Sequence, residues 1–202
     1  MKCNFCNQQV GFMKTYHEDC RLRVEGTLKQ IEETVNKHKA DDEVSVEVKE
    51  LLKKLAKSDE LYINYMKSQV MDKTIIHANE TIIYAESGLI IRESKNRCKM
   101  VETGYRYEKM PTWSEKDFLL DKSGTIIFSD SAVYPQVGTK MMRYPYKKIV
   151  NYGFEKIWTL QYAYFDIKTT SPYPHRFSLS DTFKAKEGRK EQNICLFLHS
   201  LV

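Results

Sequence analysis

Cys3 and Cys6 have two residues between them, and His17 and Cys20 repeat that spacing after an intervening stretch of ten. Three sulfurs and one imidazole in two close pairs are the donor set of a tetrahedral zinc ion. Each pair sits on a tight turn, and the segment between them folds back to bring the pairs together. Asn7 and Gly11 are turn-forming residues placed where that fold-back needs them. Four protein donors leave no open coordination position, so the spacing predicts a structural rather than a catalytic zinc. A segment of about twenty residues cannot bury a core of its own, so the ion is expected to supply much of its folding free energy. A redox reading of Cys3 and Cys6 requires a flanking strand–helix–strand pattern that is missing here. Cys98 and Cys195 stand alone among apolar neighbours and read as core cysteines.

No other constellation in the chain has catalytic spacing, so the expectation is a protein that is not an enzyme. A phosphate-cradling glycine loop and a G-x-S-x-G turn are both missing. His38, His77, His175 and His199 are scattered, and the carboxylate pairs Glu32-Glu33 and Asp41-Asp42 fall on charged helical or capping segments. Two basic groups are candidate contacts for an anionic ligand. Arg92, Lys95, Arg97 and Lys99 surround the first expected hairpin turn; Lys140, Arg143, Lys147 and Lys148 lie beside Tyr144 and Tyr146. Basic residues interleaved with tyrosine suit single-stranded nucleic acid. Charge at a hairpin tip also serves the plainer purpose of blocking edge-to-edge pairing, which is the favoured reading.

The elements that must carry these groups fall into three blocks: a zinc knuckle over 1–20, a helical arm of two or three helices over 21–73, and a β-rich domain over 74–202. In the arm, Val24, Leu28, Ile31 and Val35 recur at helical spacing from about Glu18 to Lys39. Asp41 and Asp42 offer a cap for a second helix with Val48, Leu51, Leu52 and Leu55 on one face. Ser58 and Asp59 interrupt or re-cap it before Tyr62, Met66 and Val70. The seams are expected to pack on each other; the alternative is a coiled coil that makes a homo-oligomer through the arm. From Thr74 the apolar period changes to two. Strands are expected at Thr81–Glu93, with a bulge or kink at Gly88, and at Lys99–Lys109 as its paired return. Met110–Lys122 reads as loop. Further strands are expected at Thr125–Phe128, Ala132–Tyr134, Lys140–Arg143, Trp158–Phe165 and Arg176–Leu179. A final amphipathic helix carries Ile194, Phe197, Leu198 and Leu201 after Gly188.

Composition bounds the rest. The 202 residues are 42% hydrophobic, with 13 tyrosines and a net charge of +5. That describes a globular chain with a strand-favouring aromatic bias and too mild a charge to demand a nucleic-acid partner. No stretch is long and apolar enough to span a membrane, and no secretory signal is visible. Five cysteines, three of them in the metal cluster, fit a reducing cytoplasm better than a disulfide framework.

From about Ile76 to the end the chain resembles a family of bacterial pleckstrin-homology-like domains. The likeness is carried by His77-Ala78-Asn79-Glu80 before a strand, and by Gly124-Thr125-Ile126-Ile127-Phe128-Ser129-Asp130 as a glycine-led strand and turn. Ala132-Val133-Tyr134 and Arg143-Tyr144-Pro145-Tyr146-Lys147-Lys148-Ile149-Val150 follow, and then a long strand and a C-terminal helix. The resemblance implies an α+β protein whose antiparallel β-sandwich or barrel consists of two roughly orthogonal sheets closed by the terminal helix. The expected function is a non-catalytic interaction or regulatory protein that binds a protein partner through this domain or the arm. Nucleic-acid binding through the knuckle and the basic residues is the alternative, and membrane-surface binding ranks last.

Overall fold

Val24, Ile31 and Val35 form one stripe along a helix, and folding buries that stripe. In the computed structural model α1 spans Glu18–Lys37, with Val24, Thr27, Ile31 and Val35 buried. Described are residues 1–12, 14–38, 46–68, 76–77, 79–94, 97–103, 106–112, 118–157, 160–170, 174–181 and 189–202; for 97–103, 106–112, 118–123, 157 and 189 the description covers the backbone. The cap expected at Asp41 and Asp42, and Val70, lie outside them.

Helix α2 (Val46–Lys57) buries Val48, Leu52 and Ala56 at intervals of four, whereas Leu51 is exposed. Helix α3 (Glu60–Ser68) buries Tyr62 and Met66. Asp59 separates them as expected. Its carboxylate accepts the Leu61 N–H at 2.9 Å, capping α3, and also takes Arg23 of α1 at 3.1 Å. Helix α1 lies against both α2 and α3, and the buried part of each seam is covered within the chain.

Eight of the ten strands described form one continuous antiparallel sheet. In chain order the ten are β1 (Ile82–Ser94), β2 (Arg97–Thr103), β3 (Arg106–Thr112), β4 (Phe118–Ser129), β5 (Ala132–Val137), β6 (Lys140–Met141), β7 (Tyr144–Pro145), β8 (Ile149–Ile157), β9 (Leu160–Ile167) and β10 (His175–Asp181). The sheet runs β6-β5-β4-β1-β10-β9-β8, with β7 on the end of β5. β1 is central and hydrogen-bonds β4 on one edge and β10 on the other. Gly88 has φ +69°, and the β1–β4 register jumps between Glu86 and Leu89, the bulge expected from sequence. The sheet also curls. On a flat sheet β7 and β10 stand four strand spacings apart, about 19 Å. Yet Tyr144 of β7 and Phe177 of β10 have ring centroids 5.5 Å apart.

Several expectations change here. The segment expected to return along β1 is split into β2 and β3, which pair with each other as a separate ribbon. The strand beside β1 is β4, which begins within the stretch read as loop. Its Ile126, Ile127 and Phe128 are fully buried, and its sequence is more apolar than Arg97–Thr112. Pro111 is tolerated because β3 pairs with β2 alone. The strand expected from Trp158 starts at Leu160, with Trp158 outside the described residues, and it is the return leg of a hairpin with β8. β8 escaped notice because Asn151, Gly153 and Glu155 dilute its apolar signal. Two separate sheets are replaced by one curled, open sheet.

Helix α4 (Arg189–Leu201) lies against β8, β9 and β10 and touches α1 and α2. Its Phe197 ring stacks on Tyr84 of β1 at 4.3 Å, and both stand beside Phe128 of β4. The arm packs on this core. Tyr62 of α3 donates its buried hydroxyl to the Ile83 carbonyl at 2.7 Å, and Asn193 of α4 donates to Glu32 of α1 at 3.1 Å. Burial raises the Glu32 carboxyl and outweighs that hydrogen bond, so solvation alone does not account for it.

Gly124 marks the tightest approach in the sheet. A Cβ there would stand 2.6 Å from Ile91 Cγ1 and Cδ1 and 3.0 Å from the Gln136 carbonyl oxygen. Gly124→Ala is therefore expected to destabilise the protein by about 1–3 kcal/mol, read as a lower denaturant midpoint at unchanged slope.

Candidate metal centre

The first twenty residues fold as a short ribbon. Lys2 and Gln9 bridge antiparallel, and the Cys3 N–H donates to the Gln8 carbonyl at 2.8 Å. Asn7 closes the turn after Cys6. Its N–H donates to the Cys3 carbonyl at 2.9 Å, and its φ of +59° is the left-handed conformation that asparagine tolerates. A second turn is closed by the Lys14 N–H on the Gly11 carbonyl at 3.1 Å, and Asn4 then donates to Thr15 at 3.0 Å. The chain is thereby returned to the first cysteine pair just as α1 begins. His17 caps the helix position, and Cys20 lies in its first turn.

The four predicted ligands converge. One donor atom each from Cys3, Cys6, His17 and Cys20 lies within 4.8 Å of all the others. Nδ1 of His17 is 3.4 Å from Cys6 Sγ and 3.8 Å from Cys20 Sγ. A tetrahedral ion with metal–sulfur bonds of about 2.3 Å and metal–nitrogen bonds of about 2.0–2.1 Å spans sulfur–nitrogen edges of about 3.5 Å, so the cage is metal-sized. The second nitrogen of His17 fits as well. Nε2 stands 3.1 Å from the Gln9 carbonyl; as the donor there, it carries the proton and leaves the Nδ1 lone pair facing the sulfurs.

Electrostatics point the same way. Burial raises the Cys3 thiol, but backbone N–H groups of Cys6, His17 and Phe5 outweigh it and lower the pKa to about 6. Cys20 is pushed up to about 11 by burial and by its neighbours Cys6 and Cys3. Cys3 thus ionises readily while Cys20 resists ionising until a cation joins it, and such a cluster can hold a metal ion.

The tip is not held by donors alone. Cys3, Phe5 and Val10 are buried, and the Phe5 ring packs 5.2 Å from Tyr65 of α3. Beside the expected contribution of an ion, the segment thus docks through an aromatic contact that the ribbon's turns present to the arm.

Among the described residues the candidate basic side chains have different surroundings. Arg143 is bound to Glu80 through Nε at 2.7 Å and through its terminal nitrogen at 2.6 Å. It therefore leaves the group of candidate anion contacts. Lys140, Lys147 and Lys148 are exposed. Arg92 lies 6.0 Å from the Tyr162 ring. Lys95 lies outside the described residues, as do the side chains of Arg97 and Lys99.

Two polar clusters went unnoticed in the sequence. Glu80 accepts from Ser129 at 2.6 Å and Tyr134 at 2.8 Å in addition to Arg143. Across the sheet, Arg176 binds both oxygens of Asp166 at 2.7 and 2.8 Å and Glu155 at 2.9 Å, and lies 4.0 Å over the Tyr164 ring. Partners so distant in sequence leave no local signal. Cys195, read as a core residue, is half-buried with its thiol on the Gly153 carbonyl at 3.2 Å.

No protein-family model matches this chain, and no curated protein does.

Two measurements test the site and its neighbour. Titration of the reduced chain with cobalt(II) is expected to give thiolate–metal charge-transfer absorption saturating at one ion per chain. Cys20→Ser should weaken uptake by more than about 100-fold, the upper range for losing only a supporting contact; equal affinity would exclude the cluster. For Glu80, burial raises the carboxyl, but the bonds from Ser129, Tyr134 and Arg143 outweigh it and hold it below its usual range. Its contribution is therefore present above the unfolded carboxyl value and is lost as pH falls through the lower folded value. Glu80→Gln should cost about 2–3 kcal/mol at neutral pH, less than a fully buried pair because Arg143 keeps some water. It should also reduce the fall in stability on acidification.

Proposed function

We propose that this chain is a non-catalytic binding protein: a structural zinc fixes its amino-terminal tip, and a pleckstrin-homology-like β domain engages a protein partner. The observation that carries the zinc reading is the closed donor set, four protein ligands in a metal-sized cage. Sulfur-rich tetrahedral sites select zinc in a reducing cytoplasm, the compartment proposed here, and four ligands leave no position for a substrate.

The pleckstrin-homology-like reading is supported by the strand order. One antiparallel path runs outward from β1 in both directions, and α4 lies against the β8–β10 half. The binding reading is supported by the fate of the strongest polar groups. Glu80 with Arg143, and Arg176 with Asp166 and Glu155, satisfy one another on the sheet rather than facing a cleft.

Elemental analysis of the purified chain is expected to find one zinc per molecule. Removing it with a chelator should make residues 1–20 protease-sensitive while the β domain keeps its circular dichroism. Immobilised protein is expected to retain a partner from soluble cell extract. Retention of nucleic acid instead, with binding that weakens steeply as salt rises, would favour the alternative through Lys140, Lys147 and Lys148.

A further inference from the structure

β8 ends the sheet. Its nine residues pair with β9 along one edge; among the described residues no other backbone group hydrogen-bonds the strand, and the one side chain on its main chain is the Cys195 thiol at the Gly153 carbonyl. A strand edge of that length presents a row of N–H and C=O groups whose natural complement is another extended backbone. At the opposite end β6 has only two residues, too short to template a partner.

The side chains of β8 add specificity to that edge. Val150 is 53% and Phe154 46% exposed. Tyr152 and Phe154 are two apart and share one face, and the Tyr152 hydroxyl meets His199 Nδ1 of α4 at 3.1 Å. Phe154 therefore stands on the α4 side. The Cys195 contact with the Gly153 carbonyl holds the helix alongside, so the edge is rigidly backed. Exposed Lys147 and Lys148 precede the strand, and exposed Lys156 lies near its end.

We propose that β8 docks an extended peptide segment of a partner protein by strand addition. The main chain of the peptide pairs along residues 151–156. Apolar side chains at alternate positions meet Tyr152 and Phe154, and acidic side chains face Lys147, Lys148 and Lys156. This rests on the protein-binding reading above and names its surface. A second copy of the chain fits less well: antiparallel β8 strands centred on Gly153 bring Lys156 of each copy toward the Lys147–Lys148 end of the other, setting like charges together.

The test is a displayed library of random peptides selected on the full-length chain, followed by amide hydrogen exchange. The expected result is enrichment of peptides with alternating apolar residues and flanking acids. Their binding should slow exchange at alternate amides of 151–156. The double variant Val150→Lys/Phe154→Lys should bind them at least about tenfold more weakly at an unchanged thermal midpoint, since both side chains are exposed. Protection elsewhere, equal binding by the variant, no enrichment, or slow exchange of every β8 amide in the unliganded monomer would each overturn the proposal. So would a dimer that protects β8 by itself. A partner retained from extract equally by the parent and the variant refutes the β8 site alone; failure to retain any protein refutes the binding reading as a whole.

Discussion

A strand with neighbours on both edges cannot leave the sheet without breaking two ladders, and β1 holds that position here. Its second half pairs with β4 and β10 together, so it joins the two halves of the sheet. Ile83, Leu89 and Ile91 are fully buried along it, and Tyr84 stacks beneath Phe197 of the closing helix. The Gly88 bulge lets so long a strand bend while keeping both sets of partners. The arm joins through the same strand, because the Tyr62 hydroxyl ends on the Ile83 carbonyl. Helices, sheet and closing helix thus share one core, and the apolar face of β1 is its floor.

The amino-terminal ribbon solves a different problem. It is too short for a core, so it substitutes side-chain donors for buried area. Its turns place the donors: Asn7 reverses the chain after the first pair, and the 11–14 turn returns it to the second pair. Phe5 then reaches Tyr65, and Arg23 reaches Asp59. The tip is consequently anchored to both ends of the bond network around α3.

Charge on the sheet is managed by pairing. A buried carboxylate is tolerated only with its oxygens hydrogen-bonded, and Glu80 has Ser129, Tyr134 and two nitrogens of one Arg143 guanidinium. The partners come from the end of β4, from within β5 and from the segment between β6 and β7, so the cluster ties those three together. Arg176 does the same for β8, β9 and β10. In contrast, Val150 and Phe154 of β8 stand partly in water, and among the described residues β9 is the only strand that pairs with it.

Whatever depends on near neighbours in the chain was legible by itself. The Cys-x2-Cys and His-x2-Cys pairs, the helical stripes of α1 and α4, the Asp59 cap and the Gly88 bulge are all consequences of spacing within a few residues, where backbone geometry alone determines which side chains meet. What lay beyond reach were the choices among distant partners. The sequence offered Lys99–Lys109 as the strand beside β1, and the assembled sheet seats Phe118–Ser129 there instead, a choice between distant segments that local periodicity does not make. Arg143 read as a loose cation until folding brought Glu80 from 63 residues away in the chain. Local sequence determined the donors and the periodicities, and tertiary structure decided the pairings, because hydrogen-bond partners and buried area are properties of the assembled sheet.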